Sequence, residues 1–478
     1  MGTNQPLRVA LCGIGIQAYW EQFNTLRPEL EGYLQKVATQ LSRTRPDIEL
    51  LELGLVDTPT GAREAGRRCR RADIDLLFLY VTTYALSSTV LPLVQRAGVP
   101  VIVLNLQPRT AIDYRAFNSL PDRRAMTGAW LAYCSACPVP EIANVFRRAG
   151  IPFHQVTGVL GGGDTWAEIE DWLAAAHVKS VLAEARLGLL GHYYSGMLDV
   201  STDLTQICIA FGTHVEMLEV DELSALRKSV TGAEIGRRVE EMQEHFDVQP
   251  DCLESELERA ARTSVALDNF IRQHQLDALA YYYKGSGNAE NEDTMSSIIV
   301  GTSLLTARNV PVAGEYEVKN AIAMKIMDAF GAGGSFTEYY ALDFDSDVVL
   351  MGHDGPGHIA IAEGKTKIRP LEVYHGKVGR GLSVEMSVRY GPVTLLSVIE
   401  DDRDKFKLLV AEGECVLGEI LQIGNTNSRY RFSLGARGFV ESWNAQGPAH
   451  HCAVGVGHIA HRLEKLSMLL DIGFHQVC

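Results

Sequence analysis

The chain has 478 residues, 46% hydrophobic and 22% charged, with a formal net charge of −15 at pH 7. This is ordinary globular composition at a length that accommodates two to four domains, and the acidic balance offers a phosphate backbone little to hold. A nucleic-acid partner is therefore not expected. No apolar run approaches the ~20 residues that a membrane-spanning helix needs, so no membrane partner is expected either.

The start, MGTNQPLRVALCGIGIQ, carries one Arg and a short apolar run that reads as a first strand rather than a targeting segment. Nine cysteines, at 12, 69, 134, 137, 208, 252, 415, 452 and 478, form an odd and scattered set. That pattern fits a reducing, cytoplasmic compartment better than a disulfide framework. Cys134 and Cys137 make a C-x-x-C with no second pair at zinc-ribbon spacing.

Strands are expected over 8–16, 48–56, 74–83 and 99–107, with amphipathic helices over 21–43, 60–72 and 86–97. Continuous apolar strands separated by helices imply a parallel sheet covered on both faces. Ligands of such sheets sit beyond the carboxyl ends of the strands, which places Gln17, Thr82, Thr83 and Gln107 on the reactive edge. Gly13 and Gly15 give G-x-G, but Ala18 stands where a dinucleotide fingerprint needs its third glycine. A nicotinamide site is not expected.

The glycine run GVLGGGDTW (158–166) marks a boundary, and a second α/β segment follows. Long helical patterns cover 222–246 and 251–275, LDALAYYYK (276–284) is a buried strand, and 295–308 and 317–330 read as helices. After Gly331 apolar and polar residues alternate between glycines through RYRFSLGARGFVESW, the texture of an antiparallel sheet. A helix over 455–470 is expected to close the chain. The expected fold is thus two doubly wound parallel-sheet α/β domains, 1–163 and 164–330, followed by a C-terminal antiparallel β-barrel-like domain, 331–478.

Four stretches hold carboxylates and imidazoles in apolar, glycine-rich surroundings: Glu315 in VPVAGEYEVKNA, Glu338 in GGSFTEYYALDF, His353 in VLMGHDGPGH, and His450 and His451 in GPAHHCAVGVGH. Each lies near a strand end, where a charged group must be solvated, paired or bound to a cation. A mixed set of oxygen and nitrogen donors suits Mn²⁺, Co²⁺ or a similar divalent ion. In MGHDGPGHIAIAEG (351–364), His353 and His358 stand five apart around Asp354 and a Gly-Pro-Gly bend. A metal site, a substrate-gripping loop and a plain turn are all compatible with that stretch. His192 stands near a strand end, where a substrate contact and a structural role are both open. Lys319 pairs either with a carboxylate of the site or with a surface acid.

The motifs G-E-x-[DE]-x-K at 314–319, S-F-x-E-x-Y at 335–340, V-L-x-G-H at 349–353 and G-x-A-H-H at 447–451 resemble, in order and approximate spacing, the L-arabinose isomerase family. Gln17 in GIGIQ and Gln107 in NLQP resemble two glutamines of that family's sugar pocket. The related L-fucose isomerases hold their metal with a Glu/Asp pair, whereas both acids here are Glu. The resemblance implies a metal-dependent aldose–ketose isomerase using Mn²⁺, or another divalent cation such as Co²⁺ or Mg²⁺. Glu315, Glu338, His353 and one of His450 and His451, with His451 favoured, would bind the metal. Glu315 and Glu338 would also act as acid and base on an open-chain sugar, through a cis-enediol. It further implies a homo-oligomer built from trimers, a trimer or a hexamer.

The chain departs from the family at IQAYWEQF (16–23), at YVTTYALSS (80–88) and after His353, all segments expected to line the sugar pocket. Asp354, His358 and His192 are therefore candidate substrate contacts alongside Gln17 and Gln107. Asp354 and His358, with Lys365 nearby, suit an anionic substituent, so a second expectation is an isomerase, epimerase or lyase acting on a sulfonated or carboxylated sugar. A non-catalytic sugar-binding protein on the same scaffold is the third.

Overall fold

A computed structural model describes residues 6–371, 379–401, 403 and 405–478. The chain divides into two compact units, Asn4–Ser180 and Val181–Cys478. Among the described residues no helix is long and apolar enough to cross a membrane.

The first unit is built on five parallel strands: β1 (Arg8–Ile14), β2 (Glu49–Val56), β3 (Leu76–Val81), β4 (Val101–Gln107) and β5 (Phe153–Val159). Their order is β2-β1-β3-β4-β5. Every residue of β3 is buried, as a strand covered by helices on both faces requires. The connecting helices start where the sequence signals them: Thr58 accepts a hydrogen bond from Gly61 N, with Pro59 at the first helical position, opening the helix Pro59–Arg71.

The second unit holds a four-stranded parallel sheet and a barrel. The sheet contains β6 (Arg186–Gly191) and β7 (His214–Leu218), whereas β8 (Asp247–Val248) leaves it for a small separate sheet. β9 (Ala278–Tyr282) and β10 (Val312–Ala313) complete the order β10-β9-β6-β7. β11 (Gly333–Asp343) and β12 (Val348–His353) begin the barrel, and β13 (Lys367–Leu371) and β14 (Gly381–Glu385) join β8 in the small sheet. The barrel continues with β15 (Gly391–Glu400), β16 (Phe406–Cys415), β17 (Thr426–Phe432) and β18 (His451–Val456). Its strands run antiparallel in the order β15-β18-β11-β12-β17-β16, and pairing of β15 with β16 closes the ring and removes the open edges.

The helix Val318–Ala329 packs against β9 and β10 on one side and against β11, β15 and β18 on the other. It is buried all round from Val318 to Met327, as a helix between two sheets must be. Two glycines shape the strand ends around it. Gly191 has φ +94, and a Cβ there would stand 2.1 Å from Tyr282 O, so only glycine lets the chain leave β6 at that point. A Cβ on Gly352 would stand 1.8 Å from Thr426 O, which keeps β12 and β17 close just before His353.

The expected architecture is present: two parallel α/β sheets and then an antiparallel barrel. Three local readings need correction. The pattern over 222–246 is two helices, Val220–Ser229 and Gly232–His245, split where Thr231 and Glu234 form a capping box. The run read as strand through RYRFSLGARGFVESW ends at Phe432, and Gly435–Asn444 is a helix whose Phe439 ring stacks on Phe432 at 3.6 Å. The closing helix is Ala460–Leu470, and a further strand, β19 (Gly473–Gln476), follows it and runs parallel to β16.

Candidate functional site

The site grows from the carboxyl end of β10. After Ala313 the chain turns through Glu315 (φ 56) and Tyr316 (φ 63), two successive non-glycine residues in the left-handed region. Each such residue costs about 1–2 kcal/mol, and strain of this kind collects at functional positions. Two hydrogen bonds hold the turn, from Tyr316 N to Tyr281 O (3.0 Å) and from Glu317 N to Gly314 O (3.0 Å). Glu317 then precedes the helix Val318–Ala329, with its side chain left free of the helix end.

The barrel supplies the other groups. Glu338 on β11 is the register partner of His451 on β18 and of Gly352 on β12. His353 ends β12, where its backbone N donates to Thr426 Oγ1 (3.1 Å) and Thr426 Oγ1 donates to its carbonyl (2.7 Å). Phe336 lies beneath both imidazoles, with ring centroids 4.4 Å from His353 and 4.3 Å from His451. The rings of His353 and His451 stand 5.1 Å apart, and those of His450 and His451 3.8 Å.

Glu315, His450 and His451 each offer a ligand atom within 4.8 Å of the others. His451 is buried, and its Nδ1 makes a short hydrogen bond with Glu317 Oε2. Its Nε2 stands 4.0 Å from Glu315 Oε2 and has no hydrogen-bond partner among the described residues. His450 is half-exposed; its Nδ1 meets Asp199 Oδ2 at 2.6 Å and its Nε2 lies 3.9 Å from Glu315 Oε2. Both histidines are thus gripped at Nδ1 by a carboxylate and present Nε2 to one glutamate oxygen.

Burial pushes the Glu317 carboxyl up to about 8, against the pull of His450 and Lys319. Burial, with His450 beside it, holds the His451 imidazole well below its ordinary value. For His450, burial is outweighed by the hydrogen bond and charge of Asp199, and its value rises. Asp199 is lowered in turn: burial acts upward, but the bonds and charge of His450 prevail.

A divalent cation fits this donor set. A buried, unpartnered imidazole nitrogen is costly unless something accepts its lone pair. Fixing Nδ1 on a carboxylate while Nε2 is left to a metal is how ligating histidines are ordinarily oriented.

An aromatic wall stands beside Glu315. Tyr282 packs against Tyr194 at 4.6 Å between centroids, and its hydroxyl is pushed up to about 12 by burial and then by Tyr194 and Glu315. His192 is exposed, lies edge-on to Tyr282 at 5.3 Å, and places its Nδ1 2.9 Å from Tyr193 O. Asp354 is partly exposed, and with Glu338 it raises the buried Tyr340 hydroxyl, burial being the larger cause. His358 is 4% exposed, and neither ring nitrogen has a hydrogen-bond partner among the described residues. Burial lowers it to about 4. Lys365 donates to Gln243 O at 3.3 Å. Gln17 and Gln107 belong to the first unit: Gln17 is exposed at the start of the short helix Ala18–Gln22, and Gln107 donates to Ser135 Oγ at 2.6 Å.

Sequence reasoning missed Glu317, Asp199 and Tyr282 as members of this site. Glu317 carried a signal, since it is the second acid of the 314–319 motif. Asp199 carried none, lying 251 residues from His450. Lys319 is buried, and its Nζ donates to Asp199 O (2.8 Å) and Ser201 O (3.2 Å) and faces the partly exposed Glu400 Oε2 at 3.5 Å.

Residues 333–473 match the family described as L-arabinose isomerase C-terminal domain, a span that includes Glu338, His353, His450 and His451. Over 342 residues the chain is 23% identical to an L-arabinose isomerase of Nocardioides sp., covering 68% of this chain and 66% of that protein. It is 22% identical over 328 residues to one from Bifidobacterium adolescentis, covering 65% and 63%. A third, from Halalkalibacterium halodurans, is 25% identical over 354 residues, covering 70% and 68%. The chain thus spans just under two thirds of the length of the first two relatives.

Proposed function

Because the chain is a divergent member of the L-arabinose isomerase family, we propose that it is a cytoplasmic aldose–ketose isomerase that works with a divalent cation, Mn²⁺ first among the candidates. The observation that carries this reading is the convergence of Glu315, His450 and His451, with the buried Nε2 of His451 facing a glutamate oxygen. Nine free cysteines fit a reducing compartment.

Glu315, His450 and His451 would hold the cation together with Glu338 and His353 from the neighbouring strands. When bound, the cation supplies Lewis acidity and keeps a nearby carboxylate ionised. Glu317 holds His451 in the tautomer that leaves Nε2 free, and Asp199 does the same for His450. One of Glu315 and Glu338 takes the proton from C2 of an open-chain aldose and returns it to C1 of the cis-enediol. The other moves the hydroxyl proton from O2 to O1, so the aldehyde becomes a hydroxymethyl group and C2 a ketone. Tyr282 and Tyr194 form an aromatic wall beside Glu315, and His192 at its rim is placed to meet the sugar. Asp354 and His358 are proposed to set which sugar enters.

The test is a panel of aldoses, ketoses and anionic sugars incubated with Mn²⁺ and followed by NMR. The expected result is a 2-ketose from at least one aldose, lost on chelation and restored by metal. Loss of water or of a carbon fragment, with no ketose from any sugar, would replace the isomerase with a dehydratase or lyase.

A further inference from the structure

We propose that Cys134 and Cys137 form a reversible dithiol–disulfide centre in the first unit, oxidised by a low-molecular-weight disulfide and coupled through Ser135 to the end of β4. The proposal is independent of the cation site. C-x-x-C is a spacing at which two thiols close on each other: a four-residue turn brings its first and fourth Cα within about 7 Å, and a disulfide spans about 4.4–6.8 Å. Here C-S-A-C lies in the stretch of turns between the helices Arg123–Leu131 and Val139–Arg148. Cys134 is buried and Cys137 is exposed, and both are free. The two thiols lie against each other. Burial pushes Cys134 up to about 12, and the charge and hydrogen bonding of Cys137 beside it add to the rise. One accessible thiol with a second held behind it is the arrangement of an attacking and a resolving cysteine.

Both flanks of the turn are tied down. On one side Thr83 Oγ1 donates to Leu131 O at 2.7 Å. On the other, Glu141 in the first turn of the helix Val139–Arg148 accepts from Ser87 N (2.9 Å) and Tyr84 Oη (3.0 Å). Closing the pair therefore moves chiefly Ser135 and Ala136, between the two sulfurs. Ser135 is buried, and its hydroxyl accepts from Gln107 Nε2 (2.6 Å) and donates to Asn105 Oδ1 (3.2 Å). Asn105 and Gln107 belong to β4, Gln107 as its last residue, at the carboxyl edge where parallel sheets meet their ligands. The hydroxyl that braces this strand end thus sits inside the ring that a disulfide would close. With oxidised glutathione as the oxidant, the exposed Cys137 sulfur attacks first. It forms a mixed disulfide, and its proton passes to the released glutathione thiolate. The Cys134 sulfur then attacks the Cys137 sulfur and releases the second glutathione, again with transfer of the proton. Two protein S–H bonds and one glutathione S–S bond are exchanged for one protein S–S bond and two glutathione S–H bonds. In a reducing compartment the centre rests as the dithiol and closes when that pool is oxidised.

The experiment exposes the folded full chain to a large excess of oxidised glutathione, blocks remaining thiols with iodoacetamide and digests with trypsin without reductant. Cleavage after Arg124 and Arg147 yields the peptide 125–147, whose only cysteines are Cys134 and Cys137. Mass spectrometry is expected to show this peptide from the parent short of two hydrogens and free of glutathione and of blocking groups, with both thiols returned by dithiothreitol. Cys134→Ser should instead hold one glutathione on Cys137. Cys137→Ser, a change at an exposed position, should leave Cys134 unoxidised, because the buried thiol is out of the oxidant's reach. Amide hydrogen exchange over 101–107 should quicken about 2- to 10-fold in the oxidised parent, the range given by one lost hydrogen bond, and stay unchanged in treated Cys137→Ser. If the parent peptide remains as two thiols, or stops at glutathione on Cys137, the dithiol centre is overturned. If the internal disulfide forms and exchange over 101–107 does not change, the coupling to β4 is overturned.

Discussion

His451 and His358 are buried to a similar degree, 1% and 4% exposed, within the same unit, yet their surroundings differ in kind. His451 has Glu317 on Nδ1, Glu315 facing Nε2, and the rings of His450 and His353 against it. His358 lies in the bend that follows β12, its backbone N bonded to Ser335 Oγ at 3.2 Å and both ring nitrogens unpartnered among the described residues. Burial alone thus says little about what a histidine does. A carboxylate that fixes one nitrogen and leaves the other facing an oxygen makes a donor for a cation. A ring with neither is held neutral by its burial.

The contrast can be broken at several points. The largest effect is expected at Glu315, which His450 and His451 both face. Glu315→Gln keeps the shape and removes one of the two proposed proton-moving carboxylates, so turnover of the best aldose should fall by roughly 10²- to 10⁴-fold while the fold is kept. Steady-state kinetics beside a thermal melt checks this, and parent-like turnover would remove Glu315 from the chemistry.

Next comes the carboxylate behind His451. Glu317→Gln is expected to weaken Mn²⁺ binding about 10- to 100-fold, with much of the lost activity recovered at high metal. Calorimetry reads the affinity directly; an unchanged value would mean that the pairing with His451 serves only the fold.

His358 gives a pH signature instead. Its value in the folded chain is lowered by burial from 6.5 to about 4. The unfolded chain therefore binds the extra proton more readily, so stability is unaffected above pH 6.5 and is lost progressively as pH falls toward 4. The full loss is on the order of 3 kcal/mol. His358→Leu should be spared that part of the acid loss, so denaturant melts of parent and variant should diverge between pH 6.5 and 4 and run parallel above it. Curves that stay parallel throughout would show that the ring finds a partner or leaves the interior.

The smallest change is expected at Lys365, whose ammonium is bonded to the Gln243 carbonyl. Lys365→Ala should alter stability by about 0.5 kcal/mol or less and leave activity on neutral sugars unchanged. A selective loss of activity on anionic sugars would instead place Lys365 in the substrate pocket.

Much of this was legible in the sequence, for reasons that can be named. Strands such as Leu76–Val81 are apolar without interruption because both faces are covered, and that pattern survives any detail of packing. The helix Gly435–Asn444 was hidden because its glycines mimic turn punctuation, while Phe439 and Trp443, four apart, carry its period. Glu315, His353 and the His450–His451 pair stood out as charged groups near strand ends, and Glu338 stood out in the same way although it lies in the middle of β11. Glu317, Asp199 and Lys319 did not stand out as partners, because their pairings join residues 134, 251 and 120 positions apart. A sequence shows which groups must be satisfied; only the fold shows by what.

The most direct test of the account is proton NMR in D₂O with the metal-loaded enzyme and the best aldose of the panel, beside the Glu315→Gln variant. Two-glutamate chemistry predicts a 2-ketose that carries solvent deuterium at C1, formed by the parent and nearly absent with the variant. A ketose formed with no deuterium at C1 would contradict a proton transfer open to solvent, and a ketose formed equally fast by the variant would contradict the site itself.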